Sequence, residues 1–141
     1  MKKITLLLAF VAFSMLSFGQ AKKQVSFGII GALFEFPVAK DITVGPAVFT
    51  NLDLDYLTLG VKANYYFDNL VGLGNSWDFY AGANAGFGLW IGDGNNGSSD
   101  LDLGLQVGGR WFWNESWGLY VEVGGGKLGG AAYGIGITKV L

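Results

Sequence analysis

The clearest feature of the sequence is a two-residue alternation of apolar and polar positions in its second half. From Trp77 to Leu89 the odd positions are apolar, whereas Asp78, Tyr80, Asn84 and glycines occupy the even positions. Residues 100–113 and 117–126 repeat the scheme. A period of two is that of a β-strand whose faces meet different surroundings. The pattern therefore predicts three consecutive strands.

The polar face of these strands is also the face rich in glycine, which favours a narrow interior that accommodates a few long polar side chains. The bulky apolar face then lies outside. Such an exterior suits lipid, where a closed barrel is the sheet architecture that leaves no unpaired edge. Segments of about ten residues with apolar-out, polar-in alternation are typical of outer-membrane barrels. We therefore predict an all-β fold, a closed antiparallel up-and-down transmembrane β-barrel.

Weaker alternation predicts four further strands. They cover residues 24–36, with a bulge at Ile29–Ile30, then 42–50, weakened by Pro46, then 56–67 and 131–141. Residues 37–41 and 114–116 are predicted as turns, and 51–55, 68–76 and 91–99 as loops. Seven strands are recognised in this way, but an exported barrel with both termini on one side of the membrane needs an even number. We expect eight, with the missing strand before or within residues 20–50.

Aromatic residues cluster at one end of the predicted strands. They flank the connections at 68–76 and 114–116, and we predict that they form an interfacial girdle at the periplasmic end. The polar loop 91–99 then faces the cell exterior. The girdle residues are Tyr65, Phe67, Trp77, Phe79, Trp111, Trp113 and Trp117.

The N-terminus has the features of a secretory signal peptide. Lys2 and Lys3 precede an apolar run from Ile4 to Leu16, and two small residues separated by one position, Ser17 and Gly19, follow it. About 13 apolar residues are too few for a membrane-spanning helix, which needs roughly 20. We predict cleavage of residues 1–19, a barrel domain at 20–141 and localisation in the outer membrane.

The amino-acid composition argues against several kinds of partner and chemistry. Without Lys2 and Lys3 the chain has seven basic and eleven acidic residues, a net charge of −4, which argues against nucleic acid as a partner. The absence of cysteine excludes disulfides and thiolate metal sites. The chain also lacks histidine, so Ser98 and Ser99 have no base of suitable pKa, and we predict that the protein is not an enzyme. No cofactor is predicted.

A metal site is the less favoured interpretation of the acidic loop. Asp93, Asn95, Asn96, Asp100 and Asp102 offer oxygen ligands suited to calcium, but glycine stands at the position where an EF-hand loop closes with glutamate. A solvated outer loop explains the same residues.

Four segments resemble the small outer-membrane β-barrel proteins, the family that includes the OmpA transmembrane domain and OmpX. They are FYAGANAGFGLW, LDLGLQVGGRWFW, WGLYVEVGGG and AAYGIGITKVL, and the resemblance covers residues 20–141. It implies outer-membrane lipid as the surroundings, a monomer, and the barrel assembly machinery as a partner during biogenesis. The family's C-terminal assembly signal is matched at Tyr133, Ile135 and Ile137 and departs at Lys139 and Leu141.

Three charged residues on the predicted lumen face, Lys62, Arg110 and Glu122, matter most for the interior. A turn at 114–116 sets Arg110 opposite Tyr120 and Gly108 opposite Glu122, and pairing Trp90 with Asp100 sets Tyr80 beside Arg110. We predict that Lys62, Arg110 and Glu122 form an ion cluster that plugs the lumen, since a buried charge without a partner is costly. A gated ion path is the alternative. The predicted polar lumen residues are Asn64, Tyr80, Asn84, Gln106 and Tyr120.

The runner-up for the whole chain is a soluble exported barrel that binds an apolar ligand, as lipocalins do. That protein would need Leu101, Leu103, Leu105 and Val107 inside its cavity and Arg110 in water. For the membrane barrel, structural, adhesion and minor small-solute roles remain open at this point.

Overall fold

The computed structural model describes residues 21–29, 31–50, 53–67, 72, 74–93, 100–126 and 133–141. The predicted signal peptide and most of loop 91–99, including Ser98 and Ser99, lie outside these residues. Within them, no helix is long and apolar enough to cross a membrane.

Eight antiparallel strands form a closed barrel in sequential order. Every strand pairs with its neighbours in the chain, and β1 closes the barrel against β8. The predicted up-and-down barrel is therefore confirmed, as is the expectation of an eighth strand within residues 20–50. The strands are β1 (Gln24–Gly28), β2 (Gly31–Ala39), β3 (Ile42–Thr50), β4 (Tyr56–Tyr66), β5 (Trp77–Trp90), β6 (Asp100–Phe112), β7 (Trp117–Gly126) and β8 (Tyr133–Val140).

The single strand predicted at residues 24–36 is wrong, because the segment is a hairpin. Gly28 pairs with Gly31, so the chain reverses between these two glycines, where a bulge was predicted. The reversal moves the buried positions from even numbers, Gln24 and Ser26, to odd ones, Leu33 and Glu35. This change of phase is what blurred the alternation. The strand β2 then continues through Pro37, so the predicted turn at 37–41 is shorter than expected.

The strand at Ile42–Thr50 is confirmed, and its pairing with β2 is interrupted at Pro46. That ladder passes from Leu33 opposite Ala47 directly to Phe36 opposite Val44. Proline has no amide hydrogen to donate, which explains the interruption. The separate register shift in the same ladder lies between Pro37 and Ala39.

The sheet separates the two faces as the alternation predicts. Large apolar side chains project outward around the barrel, and Leu105 on β6 is 72% exposed. The fully buried side chains are mostly polar and include Gln24, Glu35, Asn64 and Arg110. The core of this molecule is therefore a polar lumen, and its stability depends on hydrogen bonds and ion pairs there as well as on the closed ladder.

An even strand number brings the start of β1 and the end of β8 to the same rim. The amide of Leu141 donates to the carbonyl of Lys23 (2.9 Å), and Val140 donates to Ser116 (2.7 Å). We call this rim, which carries the start of β1, the end of β8 and the turns at 40–41 and 113–116, the terminal end. The opposite rim, which carries the connections after β1, β3, β5 and β7, is the loop end.

Candidate functional site: the polar lumen

The centre of the lumen is an ion pair between Glu35 on β2 and Arg110 on β6. Arg110 Nη2 donates to Glu35 Oε2 at 2.5 Å, and the side chains of Arg110 and Glu35 are 1% and 0% exposed, respectively. Three neutral donors complete the shell of the carboxylate, with Thr43 at 2.7 Å, Tyr66 at 2.7 Å and Asn64 at 2.9 Å. These bonds offset much of the free energy needed to remove both charges from water.

Two tyrosines, Tyr66 and Tyr80, also contact the guanidinium group of Arg110. Arg110 Nη1 donates to the hydroxyl of Tyr66, and the guanidinium carbon lies 4.4 Å from the ring centre of Tyr80 and 5.5 Å from that of Tyr66. Stacking against aromatic faces stabilises a desolvated cation. Gly108 makes room for Tyr80, because a Cβ atom there would lie 2.4 Å from its phenol ring. We call Glu35, Arg110, Tyr66 and Asn64 the plug layer.

A second ion pair lies next to the plug layer, toward the loop end. Lys62 on β4 donates to Glu122 Oε1 on β7. The hydroxyl of Tyr80 donates to the other carboxylate oxygen at 2.8 Å, so Tyr80 contacts both ion pairs. The Lys62 ammonium also lies 5.3 Å from the ring centre of Phe49. Lys62 is buried, whereas Glu122 is partly exposed.

Of the predicted ion cluster, the structure brings Lys62 and Glu122 together and pairs Arg110 with Glu35 instead of Glu122. The β6–β7 register is as predicted, with Arg110 opposite Tyr120 and Gly108 opposite Glu122. The β5–β6 register is two residues from the prediction, since Gly88 rather than Trp90 pairs with Asp100. Asp78, not Tyr80, therefore lies opposite Arg110. A shift by two keeps every side chain on its face, so alternation alone cannot detect it.

Sequence analysis missed Glu35, and a signal for it was present. Glu35 lies between Phe34 and Phe36, whose side chains turn away from the lumen. A lone carboxylate between two aromatic residues has the alternation of a lumen-facing position. Because residues 24–36 were predicted as a single strand, the wrong positions of this segment were assigned to the lumen, and Glu35 was missed.

The five predicted polar lumen residues all face inward. Gln106 connects two of them, since it accepts a hydrogen bond from Asn84 (2.7 Å) and donates one to Asn64 (2.9 Å). Tyr80 contacts Glu122, as described above. The side chain of Tyr120 extends over Gly28. A Cβ atom on Gly28 would lie 2.1 Å from the hydroxyl oxygen of Tyr120.

The terminal end of the lumen has a further charged contact. Lys22, which precedes β1, places its ammonium 3.6 Å from Asp78 Oδ2 and 4.6 Å from the ring centre of Phe112. Asp78 and Phe112 are both buried lumen-facing side chains. The segment before β1 thus reaches across the barrel mouth toward β5 and β6.

The predicted aromatic girdle lies at the terminal end. Trp77 pairs with Trp111, Trp113 donates its amide to Trp117 (3.2 Å), and Phe67 donates to Phe79 (3.0 Å), which places these residues at similar heights. Tyr65 and the four tryptophans are among the exposed side chains, and Phe67 and Phe79 are half-buried. The Lys139 ammonium lies 5.1 Å from the ring centre of Trp117.

Among the side chains of the described part of the chain, no group of three or more carboxylate, histidine or cysteine residues could hold a metal ion. Asn95 and Asn96, considered as calcium ligands, lie outside it. Comparison with protein-family models, with curated proteins and with solved structures gives no match for this chain.

Proposed function

We propose that the protein is a small outer-membrane β-barrel whose polar lumen is plugged, and that it serves as a scaffold in the membrane. The observation that carries this proposal is the outward apolar belt. Leu101, Leu103, Leu105 and Val107 are 51–72% exposed, while Arg110 and Gln106 of the same strand are buried inside. A continuous apolar exterior of this kind is an aggregation hazard in water and is stable in lipid.

The height of the belt supports the same proposal. From Trp77 to Leu89 the outward side chains of β5 span twelve residue steps, and a rise of about 3.3 Å per residue at a tilt of about 40° gives a height of about 30 Å. The hydrocarbon core of a bilayer is about 30 Å thick. The tryptophan girdle at the terminal end, beside the start of β1 and the end of β8, matches an inner interface.

The plugged lumen is the basis for the scaffold role. A porin needs an open aqueous path, whereas Glu35 and Arg110 meet across this lumen and bury both charges, together with Tyr66 and Asn64. An eight-stranded barrel is about the size that interior side chains can fill.

The soluble, lipocalin-like alternative requires the opposite orientation. Its ligand cavity would be lined by the leucines of β6, and Arg110 would face water. The exposed leucines and the buried arginine argue against it.

Fractionation of cells expressing the full chain tests the proposal. We expect the protein in the outer-membrane fraction, with a gel mobility that shifts on heating because a closed barrel resists detergent until it unfolds. Recovery of a folded, water-soluble protein from the periplasm would contradict the proposal. A planar-bilayer recording then tests the plug, for which we expect no steady conductance.

A further inference from the structure

The β1–β2 hairpin is much shorter than the strands on the opposite side of the barrel. β1 has 5 residues and β2 has 9, whereas β5 has 14. The height of the hairpin tip follows from the strand pairing, because a row of directly paired residues runs from the tip in both directions until it meets β5. The row consists of Asp78, Arg110, Tyr120, Gly136, Gly28, Gly31, Phe49, Thr58 and Gly88.

This row places the hairpin tip at the middle of the apolar belt. It leaves β5 at Asp78 and returns to β5 at Gly88, nearer the loop end, so it climbs by a similar amount at each strand of the closed barrel. Gly28 lies as many strands from Asp78 as from Gly88. At a strand tilt of about 40° the whole climb is about 25 Å, so the tip lies about 12 Å below Gly88.

The sequence of the tip is suited to hydrocarbon surroundings. Isoleucine occupies both positions between Gly28 and Gly31, and Ile29 is 74% exposed. Each of the other connections between strands contains a charged residue. The polar backbone of a turn is tolerated at this depth where it is covered by protein or lines a cavity. The tip meets this condition, because Gly31 lines a cavity in the lumen.

The lumen cavity lies beside the tip, on the loop-end side of the plug layer. Its volume is about 60 Å³, and residues on both sides of the tip, Gly31 and Gly134, line it. Leu33 and Phe49 contribute apolar surface to the lining. The charged lining residues are two cationic and two anionic ones, Lys62, Arg110, Asp102 and Glu122. A charge-balanced lining with apolar surface suits an uncharged guest that has an apolar body and one polar group.

One buried hydrogen-bond donor in the lining has an open valence. Arg110 is 1% exposed, and its Nε–H group is buried with no acceptor among the described residues. Buried donors are nearly always satisfied, so an acceptor within the cavity is expected. The hydroxyl oxygen of a guest molecule can accept this hydrogen bond.

We propose that the cavity binds small uncharged amphiphiles, such as medium-chain alcohols, which enter sideways from the lipid over the tip of the β1–β2 hairpin. The hydroxyl group binds among the polar lumen side chains, and the alkyl chain contacts Leu33 and Phe49. The plug layer closes the site toward the terminal end. This inference rests on the proposed membrane function and adds to it a binding site that opens to lipid.

The depth of the tip is tested first, in lipid vesicles. The natural chain has no cysteine, so Ile29→Cys and Ile91→Cys each carry a single bimane fluorophore. Ile91 is the matched control, because it follows β5 at the loop end and is also exposed, at 57%. Quenching by lipids with a nitroxide at the middle of the acyl chain is compared with quenching by lipids with a nitroxide at the head group.

We expect the mid-chain nitroxide to quench the Ile29 label at least about twofold better than the head-group nitroxide, since half the hydrocarbon core is about 15 Å thick. The Ile91 label should show the reverse order. If the Ile29 label behaves like the Ile91 label, the lateral route is wrong. If neither label is quenched by either lipid, the membrane proposal itself fails.

Binding is tested with an octanol that carries a diazirine. Light releases nitrogen from the diazirine, and the carbene inserts into a C–H or O–H bond of a neighbouring residue, which mass spectrometry locates. We expect saturable labelling at Leu33 and Phe49. An excess of 1-hexanol should abolish it, whereas the same concentration of glycerol, which stays in water, should not. Equal competition by glycerol would show entry from the aqueous mouth and would overturn the inference.

A larger side chain at Gly134 should occupy the site. A Cβ atom there would lie 3.4 Å from Tyr120 and 3.6 Å from Glu122, both ordinary contact distances. We expect Gly134→Leu to reduce the saturable labelling at least about fivefold, because a filled interior leaves no room for a guest. Ala83→Leu, on the exposed face of β5, should leave it unchanged.

Heat-modifiable gel mobility verifies that each variant is folded, and Gly134→Val replaces Gly134→Leu if the leucine variant does not fold. Saturable labelling of a folded Gly134 variant equal to that of the natural chain would contradict the proposed site.

Discussion

Removing the carboxylate of Glu35 or of Glu122 should destabilise the barrel, and the loss at Glu35 should be larger. Glu35→Ala leaves Arg110 buried at 1% exposure without a counter-ion and breaks the bonds from Thr43, Asn64 and Tyr66. Breaking a buried ion pair in this way costs about 3–5 kcal/mol. Glu122→Ala also leaves a buried ammonium, but Lys62 lines a lumen cavity of about 60 Å³, where water can replace the carboxylate. We therefore expect a smaller loss, about 1–2 kcal/mol.

The measurement is equilibrium unfolding by urea in lipid vesicles, followed by tryptophan fluorescence, with Glu115→Ala in an exposed turn as the matched control. The control should change the free energy of unfolding by less than about 0.5 kcal/mol. Glu35→Gln keeps the shape and loses the charge, so it should fall between Glu35→Ala and the natural chain. If Glu35→Ala is at least as stable as Glu122→Ala, the plug layer is not the main polar contribution to stability.

Three further variants test other parts of the account by the same unfolding measurement. Asn114→Ala removes the side-chain oxygen that accepts from the amides of Ser116 and Trp117, both at 2.9 Å, and should cost about 1 kcal/mol, whereas Asn114→Asp should retain most of this stability. Gly45→Ala should prevent folding, because its Cβ atom would lie 1.5 Å from the carbonyl oxygen of Phe34, whereas Gly134→Ala should fold normally. If the two variants folded equally well, the packing of the lumen would be contradicted. Leu105→Arg, at the middle of the belt, should cost about 2–4 kcal/mol in lipid, and a cost no larger than that of Leu105→Ala would argue against a lipid-facing position.

Two-residue alternation predicts the second half of the barrel well because each strand there has one apolar and one polar face. The β6–β7 register followed from the short turn after Trp113, which leaves little freedom in the pairing. The β5–β6 register did not follow, since the long connection between Trp90 and Asp100 permits a shift by two without changing either face.

The first half of the barrel was harder to predict because the sequence signals for strands and turns conflict there. The reversal between Gly28 and Gly31 lies within an apolar stretch that lacks polar turn residues, so the sequence pattern there resembles a bulge. Glu35 lies on the misassigned strand and its partner Arg110 lies 75 positions away, a distance over which one sequence gives no pairing information. Alternation predicts which charged side chains face the lumen. Which of them form ion pairs depends on the tilt and stagger of the strands around the closed barrel.

In the proposed membrane barrel, lipid covers the odd-numbered face of β6 and the even-numbered face borders the lumen. Nitroxide labels on single cysteines at residues 101–107, in vesicles, report access to oxygen, which concentrates in lipid, and to a nickel chelate, which stays in water. The account predicts that the ratio of oxygen to nickel access alternates with a period of two and is highest near Leu105. Nickel access that is higher at Leu103 and Leu105 than at Gly104 and Gln106 would contradict it.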